Sequence, residues 1–222
     1  MSELDHAPTK HQRIIHGFVF LIVLLCTTAV PALLDWPWPW LAPWLAPLLG
    51  YFAVMLCIPS LRSSFSWLHF GRITPATVAA TLLIIVLTMT VLVLISQPHF
   101  PGGLGHMLPF QQSCGALIAG ALFSIINATV QEFVFRGVLF DSLDSIWGRW
   151  GAILVSAFIF GIGHLLVLPS GISGILGASA AADFGLAVGC LRSWSGGLAL
   201  PILAHIAADA TIIYRAVHAG TI

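Results

Sequence analysis

Apolar runs separated by short polar or Pro- and Gly-rich stretches follow one another along the chain. A helix needs about 20 apolar residues to cross the hydrocarbon core of a bilayer. Runs near this length cover residues 14–34, 40–58, 76–96, 113–135, 150–168, 174–191 and 197–217. The pattern therefore predicts an all-α fold, a polytopic transmembrane helix bundle of about seven spans. We expect one integral membrane domain, in which residues 1–112 supply the first three spans and residues 113–222 supply the last four.

Composition agrees with this pattern, because hydrophobic residues make up 59% of the chain and charged residues only 7%. A soluble domain carries about 25% charged residues, so this chain cannot cover itself with polar surface, and we expect it to lie in a lipid bilayer. The formal net charge is zero, which removes the basic surface that nucleic-acid binding needs. Four scattered cysteines without paired spacing are interpreted as small apolar residues: Cys26, Cys57, Cys114 and Cys190.

The cations are distributed unevenly among the segments that join the predicted spans. Those that precede the first span or lie in the second, fourth and sixth loops are Lys10, Arg13, Arg62, Arg72, Arg149 and Arg192. The first, third and fifth loops contain no Lys or Arg, and cytoplasmic loops are the ones that carry an excess of cations. We therefore expect a cytoplasmic N-terminus in a cell membrane, the bacterial inner membrane, with Arg215 as the one cation on the opposite side.

Seven polar side chains interrupt the apolar runs of the last four spans: Gln131, Glu132, Arg136, His164, Asp183, His205 and Asp209. An ionisable side chain is costly in the hydrocarbon layer, and one that occurs there usually faces a protein cavity. Because several spans each contribute such a group, the sequence predicts a polar intramembrane cavity. No motif surrounds Asp183, for which we expect a structural role.

Helical geometry separates two faces of the fourth span. Glu132 and Arg136 are four residues apart and project from one face, where they can form an ion pair. Gln131 points about 100° away, toward the face of Asn127. Turning Glu132 onto that second face would change the helix phase by this amount and would break its pairing with Arg136.

The histidines and the last aspartate also have a purely structural interpretation. His205 and Asp209 lie on one stripe of the seventh span, where they could form interhelical hydrogen bonds worth about 0.6–2 kcal/mol. His164 could be a buried histidine bonded to a neighbouring helix, and the ion pair on span four could serve stability alone.

Three motifs, in order, carry a resemblance to a known family. “QEFVFRG”, which begins at Gln131, resembles the EExxxR motif of the CPBP intramembrane proteases, the group that includes the CAAX prenyl endopeptidases. “FGIGH”, which ends at His164, resembles their FxxxH motif. “HIAAD”, from His205 to Asp209, resembles their third motif, a histidine followed four residues later by Asn or Asp. The resemblance covers roughly residues 113–212.

The resemblance implies a glutamate protease that hydrolyses a peptide bond of a membrane-associated peptide or protein. In that family a glutamate and the FxxxH histidine activate a water molecule, and the third-motif pair stabilises the oxyanion. Carried over, Gln131 occupies the position of the base and His164 that of its water partner. His205 and Asp209 then form the oxyanion pair. The family implies no cofactor and no metal.

Gln131 departs from the family pattern, because an amide does not accept a proton at neutral pH and cannot act as a general base. Two explanations are open: an introduced Glu→Gln change that traps an inactive form, or a natural variant that has lost hydrolysis or uses Glu132. Unless Glu132 serves as the base, we expect this chain to be inactive under both explanations. The resemblance assigns Glu132 and Arg136 to the structural ion pair.

Other functions remain compatible with the residues. A zinc-dependent membrane protease could use Glu132, His164, His205 and Asp209 as ligands, although no HExxH motif is present. A catalytically silent scaffold or immunity protein would suit a natural Gln131, and a transporter is disfavoured because the chain shows no inverted repeat. Within the protease interpretation, the substrate could carry a prenylated C-terminus, a leader peptide or a C-terminal sorting tail.

Overall fold

The computed structural model of the protein describes residues 9–29, 42–58, 69–95, 114–165 and 172–218. Within these ranges all regular structure is helical and no strand occurs, so the predicted all-α class is confirmed. The helices are α1 (Lys10–Leu24), α2 (Ala42–Cys57), α3 (Pro75–Ile95), α4 (Cys114–Glu132), α5 (Phe140–Leu165), α6 (Ile172–Ser195) and α7 (Ala199–His218). A π-helical segment, Leu25–Ala29, continues α1, and a second one, Phe133–Leu139, joins α4 to α5.

Four helical segments of the described chain are long and apolar enough to cross a membrane: Lys10–Thr27, Pro75–Ile95, Leu117–Leu165 and Gly174–Ser195. The protein is therefore a multi-pass membrane protein, but the predicted count of about seven spans is not confirmed. The 16 residues of α2 rise only about 24 Å, less than the hydrocarbon thickness of about 30 Å. Residues 30–41, where the first two predicted spans end and begin, lie outside the described residues, as does Arg62.

A break at Gly148 divides α5 into two helices. The residue has a φ of 71°, in the left-handed region that glycine adopts without steric cost. The stretch between the fourth and fifth predicted spans, expected as a loop around Arg149, is instead helical up to this break. Packing against α1 explains the difference, since Leu143 is buried and a Cβ on Gly17 would collide with Ser142.

Helix α3 has almost no protein core of its own. Among its residues only Thr77 and Thr81 are buried, and the Thr81 hydroxyl donates to the Thr77 carbonyl at 2.7 Å. Leu82, Val86 and Leu94 are among the large apolar side chains that remain exposed. Such a surface is stable where lipid tails cover it, in agreement with a membrane-spanning helix.

A chain of aromatic rings connects the N-terminal helices to the π-helical segment Phe133–Leu139. The ring centroids of Tyr51 and Phe20 are 6.1 Å apart, and those of Phe20 and Phe135 are 5.4 Å apart. Phe135 contacts Phe160 of α5 edge to face at 5.1 Å, an arrangement that aromatic pairs prefer. Helices α1 and α2 therefore support the segment that follows Gln131 and Glu132.

Candidate functional site

Polar side chains from α4, the π-helical segment and α7 meet in the buried interior of the bundle. Glu132 and Arg136 have no exposed surface, Gln131 is 5% exposed and His205 is 4% exposed. A buried charged or polar group is tolerated only when it has polar partners. The contacts of this cluster therefore define what it can do.

Glu132 is the centre of the first half of the cluster. Its Oε1 atom accepts from Arg136 Nη1 at 3.1 Å and lies 2.7 Å from His205 Nδ1. Because a carboxylate accepts only, the His205 Nδ1 atom carries a proton and donates it to this oxygen. One carboxylate oxygen thus joins the ion pair on α4 to the third motif on α7.

His205 meets Glu132 without any turn of Glu132 toward the face of Gln131, so the predicted cost of such a turn is not tested. Glu132 holds both partners at once. A carboxylate oxygen can accept two hydrogen bonds, and His205 approaches from a neighbouring helix. The spacing of residues along α4 cannot predict this contact, because His205 lies on α7.

Asp209 and Asn127 form the second half of the cluster. The Asn127 Nδ2 atom donates to Asp209 Oδ2 at 2.9 Å, and Gln131 Nε2 donates to Asn127 Oδ1 at 3.0 Å. Asp209 Oδ1 lies 3.7 Å from His205 Nε2, which is an ion contact when His205 is doubly protonated. The polar contacts therefore run from Gln131 through Asn127, Asp209 and His205 to Glu132.

Asn127 also belongs to this network, although it lies outside the three sequence motifs. Its position one helical turn before Gln131 was the available signal, since residues four apart can hydrogen-bond on a helix. Its bond to Asp209 bridges α4 and α7. The sequence separation of that pair, 82 residues, hides it from any local pattern.

His164 reaches the cluster through Phe160. The His164 Nδ1 atom donates to the Phe160 carbonyl at 2.8 Å, which leaves Nε2 of a neutral ring as an acceptor. The Phe160 ring lies 4.6 Å from the His164 ring and 5.8 Å from the His205 ring, measured between centroids. The second and third motifs therefore share this phenyl ring.

Arg136 is enclosed by apolar and backbone atoms on the side away from Glu132. Its Cζ atom lies 4.5 Å from the Phe160 ring centroid, a distance at which a cation is attracted to a ring face. A Cβ added to Gly185 of α6 would lie 3.0 Å from Arg136 Nη2. The glycine therefore allows the backbone of α6 to approach the guanidinium.

Arg192, a predicted cytoplasmic cation of the sixth loop, contacts the π-helical segment and the start of α5. Its Nε atom donates to the Arg136 carbonyl at 3.0 Å, and its Nη2 atom donates to Asp141 Oδ1 at 3.2 Å. A π-helix is an irregular turn that occurs often at functional sites. Arg192 thus contributes to positioning the backbone that carries Arg136.

Four buried atoms of the cluster have no hydrogen-bond partner among the described residues. They are the acceptors Gln131 Oε1 and Glu132 Oε2 and the donors Arg136 Nε and Nη2. Leaving a buried donor or acceptor unpaired costs about 1–3 kcal/mol. These four atoms are the ones in the cluster whose hydrogen-bonding capacity is unused among the described residues.

Other candidate residues lie away from the cluster. Asp183 is exposed on α6, and Cys26, Cys57 and Cys190 are free and exposed. Across the described part of the chain, no group of three or more His, Cys, Asp or Glu side chains is arranged to hold a metal ion.

Comparison with protein-family models gives a match in the C-terminal half of the chain. Residues 113–211 match the model described as type II CAAX prenyl endopeptidase Rce1-like. Comparison with curated proteins and with solved structures gives no significant match. The matched segment contains all three polar motifs and ends within α7. The match over residues 113–211 supports membership of the CPBP/CAAX family of membrane proteases.

Proposed function

We propose that the protein has the site of a glutamate-type intramembrane endopeptidase, with an amide at the position of the general base. The site residues are Gln131, Glu132, His164, His205 and Asp209, and the substrate is a membrane-associated peptide or protein. One observation carries this proposal. Polar groups from separate motifs and separate helices converge in a buried cluster that has unpartnered donors and acceptors.

The chemistry of peptide hydrolysis needs a base for water and donors for the developing oxyanion. Residue 131 and the Nε2 atom of His164 supply acceptors that can orient a water molecule. His205 can donate from Nε2 when it is doubly protonated, and its Nδ1 atom is held by Glu132 at 2.7 Å. With Gln131, water can be oriented but not deprotonated, so the present chain is a silent form.

Glu132 is the second candidate for the base, because its Oε2 atom is buried and has no hydrogen-bond partner among the described residues. It is also the only glutamate beyond Glu3. If Glu132 deprotonates the water, the chain is active as it stands. The first assignment predicts that the parent protein is inactive, and the second predicts that it is active.

Four proteins distinguish them: the parent, Gln131→Glu, Glu132→Gln and the double variant. The substrate is one that is processed in the source cell, co-expressed with each protein and followed by mass spectrometry. We expect no cleavage by the parent and cleavage by Gln131→Glu, since a general base contributes about 10²–10⁴ in rate. His164→Ala added to the Gln131→Glu chain should abolish this gain.

A matched control is the same isosteric change at Gln12, where the N3 position of α1 takes part in a capping box that glutamate also supports. Gln12→Glu should leave the parent silent. Cleavage by the parent that is lost in Glu132→Gln would assign the base to Glu132. Absence of cleavage by all four proteins would reject the protease function and favour a scaffold or immunity role.

We also propose that the N-terminus lies in the cytoplasm of a bacterial cell and that residues 1–112 form a supporting part beside the core of residues 113–222. Lys10 and Arg13 at the start of the chain support this orientation. A reporter enzyme that is active only in the cytoplasm, fused before residue 1, should be active. If the reporter is inactive when fused before residue 1 but active when fused after residue 222, the N-terminus lies outside the cytoplasm and the proposed orientation is wrong.

A further inference from the structure

Asn127 occupies a central position in the buried cluster. It is the only asparagine of the chain, it is 3% exposed, and its side chain bonds to both of its polar neighbours in the network. Nδ2 donates to Asp209 Oδ2 at 2.9 Å, and Oδ1 accepts from Gln131 Nε2 at 3.0 Å. The amide therefore bridges α4 to α7 and residue 131 to the third motif.

The direction of these bonds follows from the placement of the Asn127 amide. Nδ2 faces Asp209 Oδ2 and donates to it, and Oδ1 faces residue 131, where it can only accept. Residue 131 must then donate to Asn127, and Gln131 does so through Nε2. Its other atom, Oε1, is the one left without a hydrogen-bond partner among the described residues.

We infer that Asn127 is a positioning residue that determines the hydrogen-bond polarity of the site. It holds the Asp209 carboxylate beside His205, and it commits the amide nitrogen of Gln131, so that Oε1 is the atom available to water or to a peptide N–H. This inference rests on the proposed function for its catalytic consequence. The bonding pattern itself stands without it.

A glutamate at position 131 conflicts with this polarity. An ionised glutamate has no N–H group for Asn127 Oδ1, and two acceptors facing each other repel. The Asn127 Nδ2 group carries two N–H bonds, so a turned amide can donate one to the introduced carboxylate and one to Asp209. In the Gln131→Glu chain Asn127 therefore serves both carboxylates as a donor, whereas in the parent it donates to Asp209 and accepts from Gln131.

The first test needs no substrate. Protein grown with asparagine that carries 13C at Cγ and 15N at Nδ2, held in lipid nanodiscs, gives a single side-chain amide, because Asn127 is the only asparagine. We expect its protons to exchange with water more slowly than those of a free amide. The 15N resonance should shift in Asp209→Ala, and the 13C resonance should shift in Gln131→Ala and in Gln131→Glu.

Thr129→Ala is the matched control, since Thr129 lies on the exposed face of the same helix and its hydroxyl donates to the Ile125 carbonyl one turn earlier. This change should move neither resonance. An Asn127 amide that exchanges as fast as a free amide, or that shifts in neither the Asp209 nor the Gln131 variant, overturns the inference.

The second test uses the Gln131→Glu chain and measures kcat and KM per folded protein. Asn127→Ala and Asp209→Ala should each lower kcat, by up to about 100-fold for a displaced site group, with KM changed little. If Asn127 acts through Asp209, the double variant should be no slower than Asp209→Ala alone. Additive losses, or a change confined to KM, would overturn the positioning role.

The two tests separate this inference from the proposed function. If the nuclear magnetic resonance shifts appear while neither the parent nor Gln131→Glu cleaves, the protease function fails and the polarity assigned to Asn127 stands. If Gln131→Glu cleaves and the shifts are absent, the function stands and the role of Asn127 is wrong.

Discussion

The ion pair between Glu132 and Arg136 offers the most direct test of the buried cluster. Both side chains have no exposed surface, and their Oε1 and Nη1 atoms are 3.1 Å apart. Removing one member of a buried pair leaves an uncompensated charge and costs about 3–5 kcal/mol. In Arg136→Met, Glu132 keeps the bond from His205 at 2.7 Å, so we expect a loss of about 3 kcal/mol.

For a chain of about 150–250 residues, each kcal/mol lowers the melting temperature by about 2–4 °C. Arg136→Met should therefore melt roughly 6–12 °C below the parent, measured by circular dichroism of protein in nanodiscs. The exposed Arg149 provides the matched control, because Arg149→Met removes the same charge where water or headgroups solvate it. This control should melt within about 2 °C of the parent, since surface substitutions usually lie within about 0.5 kcal/mol.

The compensating variant makes the reasoning refutable. Glu132→Gln combined with Arg136→Met removes both charges and retains an oxygen that can accept from His205, so much of the lost melting temperature should return. Replacing a whole buried ion pair by neutral groups is often close to neutral in stability. The reasoning is refuted if Arg136→Met melts like the parent. It is also refuted if the double variant melts below Arg136→Met, because either result means that the loss of Arg136 did not leave Glu132 as an uncompensated buried charge.

Further predictions concern the walls of the cluster and its chemistry. Gly185→Ala should destabilise the protein by about 1–3 kcal/mol in the same melting assay, because its Cβ would lie 3.0 Å from Arg136 Nη2. Gly189→Ala, whose Cβ meets its nearest neighbour at 3.5 Å, is the control, and equal effects would contradict this account. Phe160→Ala should cost about 3–5 kcal/mol through the loss of a buried ring, whereas the 64% exposed Phe158 should tolerate alanine. Proteolysis gained by the glutamate variant at position 131 should survive metal chelators, and its loss on chelation, restored by Zn²⁺, would indicate a metalloprotease.

Local patterns predicted those parts of the site that lie on a single helix. The spacing of Glu132 and Arg136 places them on one face, and they form an ion pair at 3.1 Å. Gln131 was predicted to share a face with Asn127, and the two amides are hydrogen-bonded at 3.0 Å. Both results follow from the periodicity of one helix, which the order of residues fully specifies.

Contacts between helices could not be obtained in this way. The bonds from His205 to Glu132 and from Asn127 to Asp209 join residues 73 and 82 positions apart. Their existence depends on the rotation and depth at which α4 and α7 pack, and many packings satisfy the same hydropathy. The contact between Glu132 and His205 therefore could not be predicted from the helical phase of α4 alone.

The sequence by itself indicated that the protein lies in a lipid bilayer and that it is all-α. It also contained the three family motifs in their order. Hydropathy is a property of composition, and in lipid a helix satisfies every backbone polar group within its own segment. Only the tertiary structure decided which atoms of these motifs touch. It bent the chain at Gly148, joined α4 to α5 through a π-helical segment, and made one oxygen of Glu132 the meeting point of two motifs. Close packing of helices sets the distances between such atoms to within tenths of an ångström. The spacing of residues along the chain does not specify distances between helices.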